Sequence, residues 1–273
     1  RMAFRRFLRA SVPESALSSV ATEVARRFGD ASGDAEFECL DADNWLSVPC
    51  VVDDRWFVKV IADQHTLVHA LLTTGRNLGA FSSGTEGFFE RFSTPLEMAE
   101  HELAATERIR ELGIAAPEPI EAFEHDGFGV LVLEYLPAFR TFDDLPTDRA
   151  LSFAPTLFSN LASMHAAGLA HGDLRAENVL VAPDAEGVET LYFIDATRVS
   201  EGAIEDAKAY DIACALASLA PHIGANAAVA AALDAYSTDA VLAAREFLDF
   251  VGLRPDHDFD TTSVKAEIEK AAA

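Results

Sequence analysis

The chain has 273 residues, half of them hydrophobic, which is ample for a globular interior and long for one compact core. Lysine and arginine total 21 against 45 aspartates and glutamates, giving a formal net charge of −24, and only four of the cations are lysines. That balance argues against an extended nucleic-acid surface, which needs clustered cations, and no run approaches the ~18 apolar residues of a membrane span.

Self-repulsion on this scale is tolerable where salt screens it, since the Debye length falls to about 3 Å at 1 M. The acid-rich, lysine-poor composition therefore points to a halophilic, cytoplasmic protein, with an ordinary acidic protein of a GC-rich genome as the alternative. No signal-peptide pattern is visible. The three cysteines, Cys39, Cys50 and Cys214, show no metal-ligand spacing and read as reduced thiols.

In chain order, residues 1–29 read as helix, with a basic opening "RMAFRRFLRA" and a second part bounded by Pro13 and Gly29. The basic opening suits packing on its own domain, or a membrane surface or acidic partner. From residue 36 the period changes to that of strands: "EFECLDA", "LSVPCVVDD" and "RWFVKVIAD", the last two joined at Asp53-Asp54. Cys39 and Cys50 are placed to face each other across the first hairpin.

Residues 63–94 form a helix and a glycine- and serine-bearing insertion that fits no phosphate-loop pattern. Thr94-Pro95 opens a helix that stops at Gly113. "APEPIEAFEHDGFGVLVLEYLP" is a hairpin with a strongly apolar second strand, and after Pro137 the chain turns helical. The expected division is 1–35 helical extension, 36–136 β-rich lobe, 137–252 helical lobe and 253–273 polar tail. A change of class across a narrow connector suggests two lobes with a cleft.

The polar loop "HGDLRAENVLV" at 171–181 interrupts this pattern. Singly, each of its residues has an ordinary explanation: Asp173 and Asn178 as turn residues, Lys59 as the solvent side of a strand, Glu102 as a solvated helix acid, Asp195 as a cap. In order, however, a strand lysine, a helix acid, an apolar strand ending in "EYLP", then His-Gly-Asp with Asn at Asp+5 and finally "LYFID" resemble the protein-kinase-like superfamily. The trimmed second half is similar to RIO-type kinases and the small archaeal kinase of the tRNA-modifying KEOPS complex, and lipopolysaccharide kinases share the His-Gly-Asp form.

The resemblance implies an α+β, bilobal protein-kinase-like fold and an ATP- and Mg²⁺-dependent phosphotransferase, with Mn²⁺ as a substitute ion. By the same resemblance Lys59 holds the α- and β-phosphates and pairs with Glu102, Glu100 and Glu107 being alternatives. Asp195 and Asn178 are the metal ligands, and Asp173 is the base that takes the acceptor's proton. Arg175 lies on the transferred phosphate. Leu133 backs the adenine site, Glu134 and Leu136 present backbone carbonyl and amide to its edge, and Asp211 braces the loop. Phosphoryl transfer needs this set because it rests on positioning and on neutralising dense negative charge.

Departures narrow the expectation. Gly172 replaces the arginine that receives an activation-loop phosphate, and only 15 residues separate Asp195 from Asp211. "LDADNWLSV" lacks the phosphate-covering glycines, leaving Asn44 and Ser47 as partial substitutes. The leading expectation is an atypical Ser/Thr protein kinase with an unidentified hydroxyl acceptor. The alternatives are an aminoglycoside- or choline-type small-molecule kinase, whose acidic cluster here is limited to Asp143, Asp144 and Asp148, and a nucleotide-binding regulatory protein with slow ATP hydrolysis.

Overall fold

The computed structural model describes residues 12–29, 35–40, 47–66, 92–197, 199, 201–254 and 257–273. The expectations for the basic opening, for Asn44 and for most of the 63–94 insertion lie outside the described residues. The architecture is α+β. Described residues fall into two compact units: one takes those within 1–74, 91–107 and 117–137, the other those within 108–116 and 138–273. Among them no helix is long and apolar enough to cross a membrane.

The first unit is a five-stranded antiparallel sheet in the order β1-β2-β3-β5-β4, built from Phe37–Cys39, Val48–Val52, Trp56–Ile61, Pro119–His125 and Phe128–Glu134. Strand alternation sends successive side chains to opposite faces. Trp56, Val58 and Val60 of β3, with Val130 and Val132 of β5, face helix α1 (Glu14–Phe28), which buries Val20, Ala21 and Val24 against them. Ile61, Leu131 and Leu133 take the other face, against Met98 and Ala99 of helix α2 (Pro95–Glu111). The register also sets Cys39 opposite Cys50, both free thiols, with their Sγ atoms 2.6 Å apart.

The second unit is helical apart from a three-stranded sheet, β6-β7-β8 (Arg140–Thr141, Val179–Pro183, Glu189–Phe193). Helix α3 (Thr147–Ala166) precedes the polar loop. Helix α4 (Ile204–Ile223) is the unit's axis, buried without a break from Ala209 to Leu219. Helices α5 (Ala225–Ala235), α6 (Thr238–Arg245) and α7 (Leu248–Gly252) follow.

The stretch read as a polar tail is instead folded over much of its length. Helix α8 runs from Thr261 to Ala272, capped by the Asp260 carboxylate, which accepts from the Thr262 and Ser263 amides. It buries Val264 and Ile268, one turn apart. Two large apolar side chains in twelve residues make a weak sequence signal, and packing supplies the rest.

In the first unit His65 is buried, accepts the Ala62 amide on Nδ1 at 2.8 Å, and has its pKa pushed down to about 4 by burial. The unfolded imidazole, near 6.5, then binds a proton that the folded one refuses. This contribution to stability is complete above about pH 6.5 and is lost as pH falls toward about 4. The melting temperature of the wild type should fall more steeply across that window than that of H65Q; parallel curves would show that His65 does not carry the effect.

Candidate active site

Lys59 owes its direction to β3. It shares the α2 face with Ile61, stands opposite Leu131, and is only 4 % exposed, so it is not the solvent-facing member of its strand. Its Nζ donates to Glu102 Oε1 at 2.6 Å, whereas Glu100 and Glu107 are exposed on the same helix. Two features place that helix. The Thr94 hydroxyl accepts from the Glu97 amide while the Glu97 carboxylate accepts from the Ser93 amide, a reciprocal cap at its start. Gly129 then admits the first turn, because a Cβ there would lie 2.3 Å from the Pro95 carbonyl oxygen.

At the end of β5, Leu133 and Leu136 are buried and Glu134 is half-buried. The Glu134 amide donates to the Glu118 carbonyl at 2.8 Å, and the Glu134 carboxylate accepts from the Glu118 amide at 3.0 Å. The Tyr135 amide donates to the Arg55 carbonyl. This strand end is thus tied along both edges.

In the second unit the polar loop is organised by a carboxylate beneath it. Asp211 of α4 is fully buried and accepts from the backbone amides of His171 at 2.6 Å and Gly172 at 2.8 Å. His165 of α3 donates its Nε2 proton to the same carboxylate at 3.1 Å, which leaves Nδ1 to accept from the Tyr236 hydroxyl at 2.8 Å. Burial raises the Tyr236 pKa, so the phenol keeps its proton and stays a donor. Gly172 has φ +77°, and a Cβ there would meet Thr197 Cγ2 at 2.6 Å. An arginine in its place would fit neither the backbone nor the space.

His171 ties the loop to the chain just after β8. Its Nε2 donates to the Ile194 carbonyl at 2.9 Å and its Nδ1 faces the Asp173 amide at 3.4 Å, the neutral tautomer that burial favours by lowering its pKa. The Ile194 amide donates to the Asn178 carbonyl and the Thr197 amide to the His171 carbonyl, so the backbone of Asp195 runs beside Asn178. Asp195 is half-buried with φ +62°, a left-handed conformation that aspartate adopts more readily than most side chains. Asn178 donates its Nδ2 to the Asp173 carbonyl at 2.8 Å, leaving Oδ1 as the presented oxygen, 3.4 Å from Arg175 Nη2.

Asp173 itself is 7 % exposed. Its Oδ1 accepts from Arg254 Nη2 at 2.8 Å, and its Oδ2 lies 3.5 Å from Arg175 Nε. Arg175 also donates to Glu177. Arg254, His165 and Tyr236 had no signal in the sequence: Arg254 is 81 positions from the aspartate it touches, and the other two look like ordinary helix residues. The structure thus joins Lys59 with Glu102 in one unit, and Asp173, Arg175, Asn178 and the Asp195 backbone in the other.

The RIO domain family matches residues 89–210, from just before α2 to the first turns of α4. No curated protein matches the chain in sequence to a significant degree. Among solved structures the chain is similar to the Rio2 kinase from Chaetomium thermophilum, solved with ADP/Mg²⁺ and phosphoaspartate, at 16 % identity over 93 % of this chain and 75 % of that one, with a TM-score of 0.46. It is similar to an aminoglycoside-3'-phosphotransferase of type VIII at 18 % identity, 91 % and 97 % coverage and a TM-score of 0.43. It is also similar to the PknI kinase domain of Mycobacterium tuberculosis at 12 % identity, 87 % and 94 % coverage and a TM-score of 0.43. The family match thus spans the segment 89–210, somewhat under half of the chain.

The Asp211 network makes a graded prediction. D211N replaces one charged acceptor with a donor beneath two buried amides and should cost about 2–3 kcal/mol in urea unfolding, while Y236F removes one outer link and should cost about 1 kcal/mol. Equal or negligible losses would show that the carboxylate does not organise the loop.

Proposed function

We propose that the chain is an ATP- and Mg²⁺-dependent phosphotransferase of the atypical protein-kinase type, transferring the γ-phosphoryl group to a serine or threonine hydroxyl. The observation that carries this reading is the buried Lys59–Glu102 pair at 2.6 Å. A buried ion pair is a poor stabiliser, because desolvation offsets the attraction. A fixed ammonium on a sheet face is well suited to a polyphosphate. The loop supports the same reading by adding an acid, a carboxamide and a cation within six residues, Asp173 to Asn178.

Asn178 Oδ1 and the Asp195 carboxylate are hard oxygen donors that fit Mg²⁺, which takes one or two carboxylates plus substrate phosphate. Among the described residues no three His, Cys, Asp or Glu side chains are gathered to hold a metal by themselves, so nucleotide oxygens would complete the set. The ion would supply charge neutralisation at the phosphates. Asp173 would receive the acceptor's proton as that oxygen bonds to the γ-phosphorus and ADP leaves, with Arg175 facing the transferred group. Helix α4 begins nine residues after Asp195, which leaves little chain for an activation segment, and we read the activity as not gated by loop phosphorylation.

Labelled ATP with Mg²⁺ or Mn²⁺ and a general protein substrate should yield phosphoprotein. D173A should lower kcat by about 100-fold or more while retaining nucleotide binding, and K59M and D195A should each weaken metal-dependent nucleotide binding. Transfer only to small amino-alcohols or sugars would favour the small-molecule reading; nucleotide binding with a D173A rate equal to wild type would favour a regulatory protein.

We also propose that the chain works in the cytoplasm at concentrated salt, on the strength of its −24 charge. Raising KCl from about 0.1 M to about 1 M shortens the Debye length from about 10 to about 3 Å, so the melting temperature should climb over that range. A flat or falling curve would assign the composition to ordinary acidity.

A further inference from the structure

We propose that Arg254 is a positioning residue for the transfer, holding the Asp173 carboxylate so that one oxygen is presented to the acceptor hydroxyl. The inference rests on the reading of Asp173 as the group that takes the acceptor's proton.

Arg254 follows α7, 81 positions from Asp173, and is 8 % exposed. Its Nη2 donates to Asp173 Oδ1 at 2.8 Å while Nη1 donates to the Tyr210 hydroxyl. Tyr210 is fully buried in α4, with its ring against those of Phe247 and Phe250. The planar guanidinium, with its fork of donors, is thereby fixed at both ends, which an ammonium cannot reproduce.

The arrangement divides the work of the carboxylate. Oδ1 is engaged by a buried cation on the C-terminal side of the unit, and Oδ2 turns toward Arg175 and the exposed edge of the loop. A bidentate or freely rotating Asp173 would spread its lone pairs over several directions. A pinned one offers Oδ2 in a single direction, and misplacing a reacting group by about 1 Å can cost on the order of 100-fold in rate. Two adjacent residues of one helix therefore set the loop: Asp211 holds the amides of 171 and 172, and Tyr210 acts through Arg254 on the side chain at 173.

A purely structural pin would secure the C-terminal helices and leave turnover per folded molecule alone. The test is steady-state kinetics of the full chain in wild type, R254M, R254K, Y210F and D173N, each checked for folding by circular dichroism. R254M should lower kcat on the order of 10- to 100-fold with KM for ATP nearly unchanged, R254K and Y210F should fall between it and wild type, and added guanidinium ion should raise the R254M rate but not that of D173N. If R254M fails to fold, the same kcat-against-KM split in R254K and Y210F carries the inference. Wild-type kcat in R254K and Y210F, or a kcat that rises in any Arg254 variant, overturns it. An inert wild type, or a D173N enzyme that turns over normally, defeats the reading of the site and this inference together; an impaired D173N beside unimpaired Arg254 and Tyr210 variants defeats the inference alone.

Discussion

A fully buried carboxylate, Asp211, is the constraint on which the polar loop depends. Removing such a charge from water is costly unless hydrogen bonds replace the lost hydration. Here the replacement comes from two successive backbone amides and one imidazole. The amides of His171 and Gly172 have left any strand ladder and would themselves be unsatisfied without an acceptor. Each party removes the other's penalty, so the loop geometry and the charge beneath it are stable only together. The positive φ of Gly172 belongs to the same bargain, because it brings both N–H groups onto one carboxyl group and brings Thr197 against the glycine.

How much of this was legible in the chain depended on range. Lys59 stands in "WFVKVI", where alternation alone allows either face to be the wet one. The neighbours decide it, because the odd-numbered positions of β3 pack under α2 as surely as the even ones pack under α1. Both faces of the sheet are covered, so strand polarity was a poor guide and motif order a better one. The loop "HGDLRAENVLV" was legible through its residue types and spacing, Asp173 to Asn178 being five apart, which carry the resemblance and with it the brace at Asp211, 40 positions from His171. The long-range partners outside that resemblance were not. Neither Arg254 nor Tyr236 differs in local pattern from an ordinary helix-end residue, and α8 announces itself only through Asp260 and two large apolar side chains.

The electrostatics of the two units share a logic. In a chain of −24, cations are scarce and their placement is informative. Several arginines sit in exposed pairs, such as Arg26 with Glu23 and Arg245 with Glu269, and pairs of that kind contribute little. Lys59 and Arg254 are different: each is buried and paired with a buried acid. At such positions losing the cation removes a charge that offsets an acid held away from water, at a cost well above that of a surface pair.

Salt separates these two populations. In the concentrated salt proposed for this protein, ions reach the exposed pairs and screen them, while the buried pairs are largely beyond their reach. The surface then gains from losing its self-repulsion, and the two interior pairs keep their strength. An acidic exterior with a few enclosed cations is thus a consistent solution for holding buried side chains in place: the charges that must be oriented are kept away from the solvent that would weaken them, and the charges left outside are those whose interactions the fold does not need.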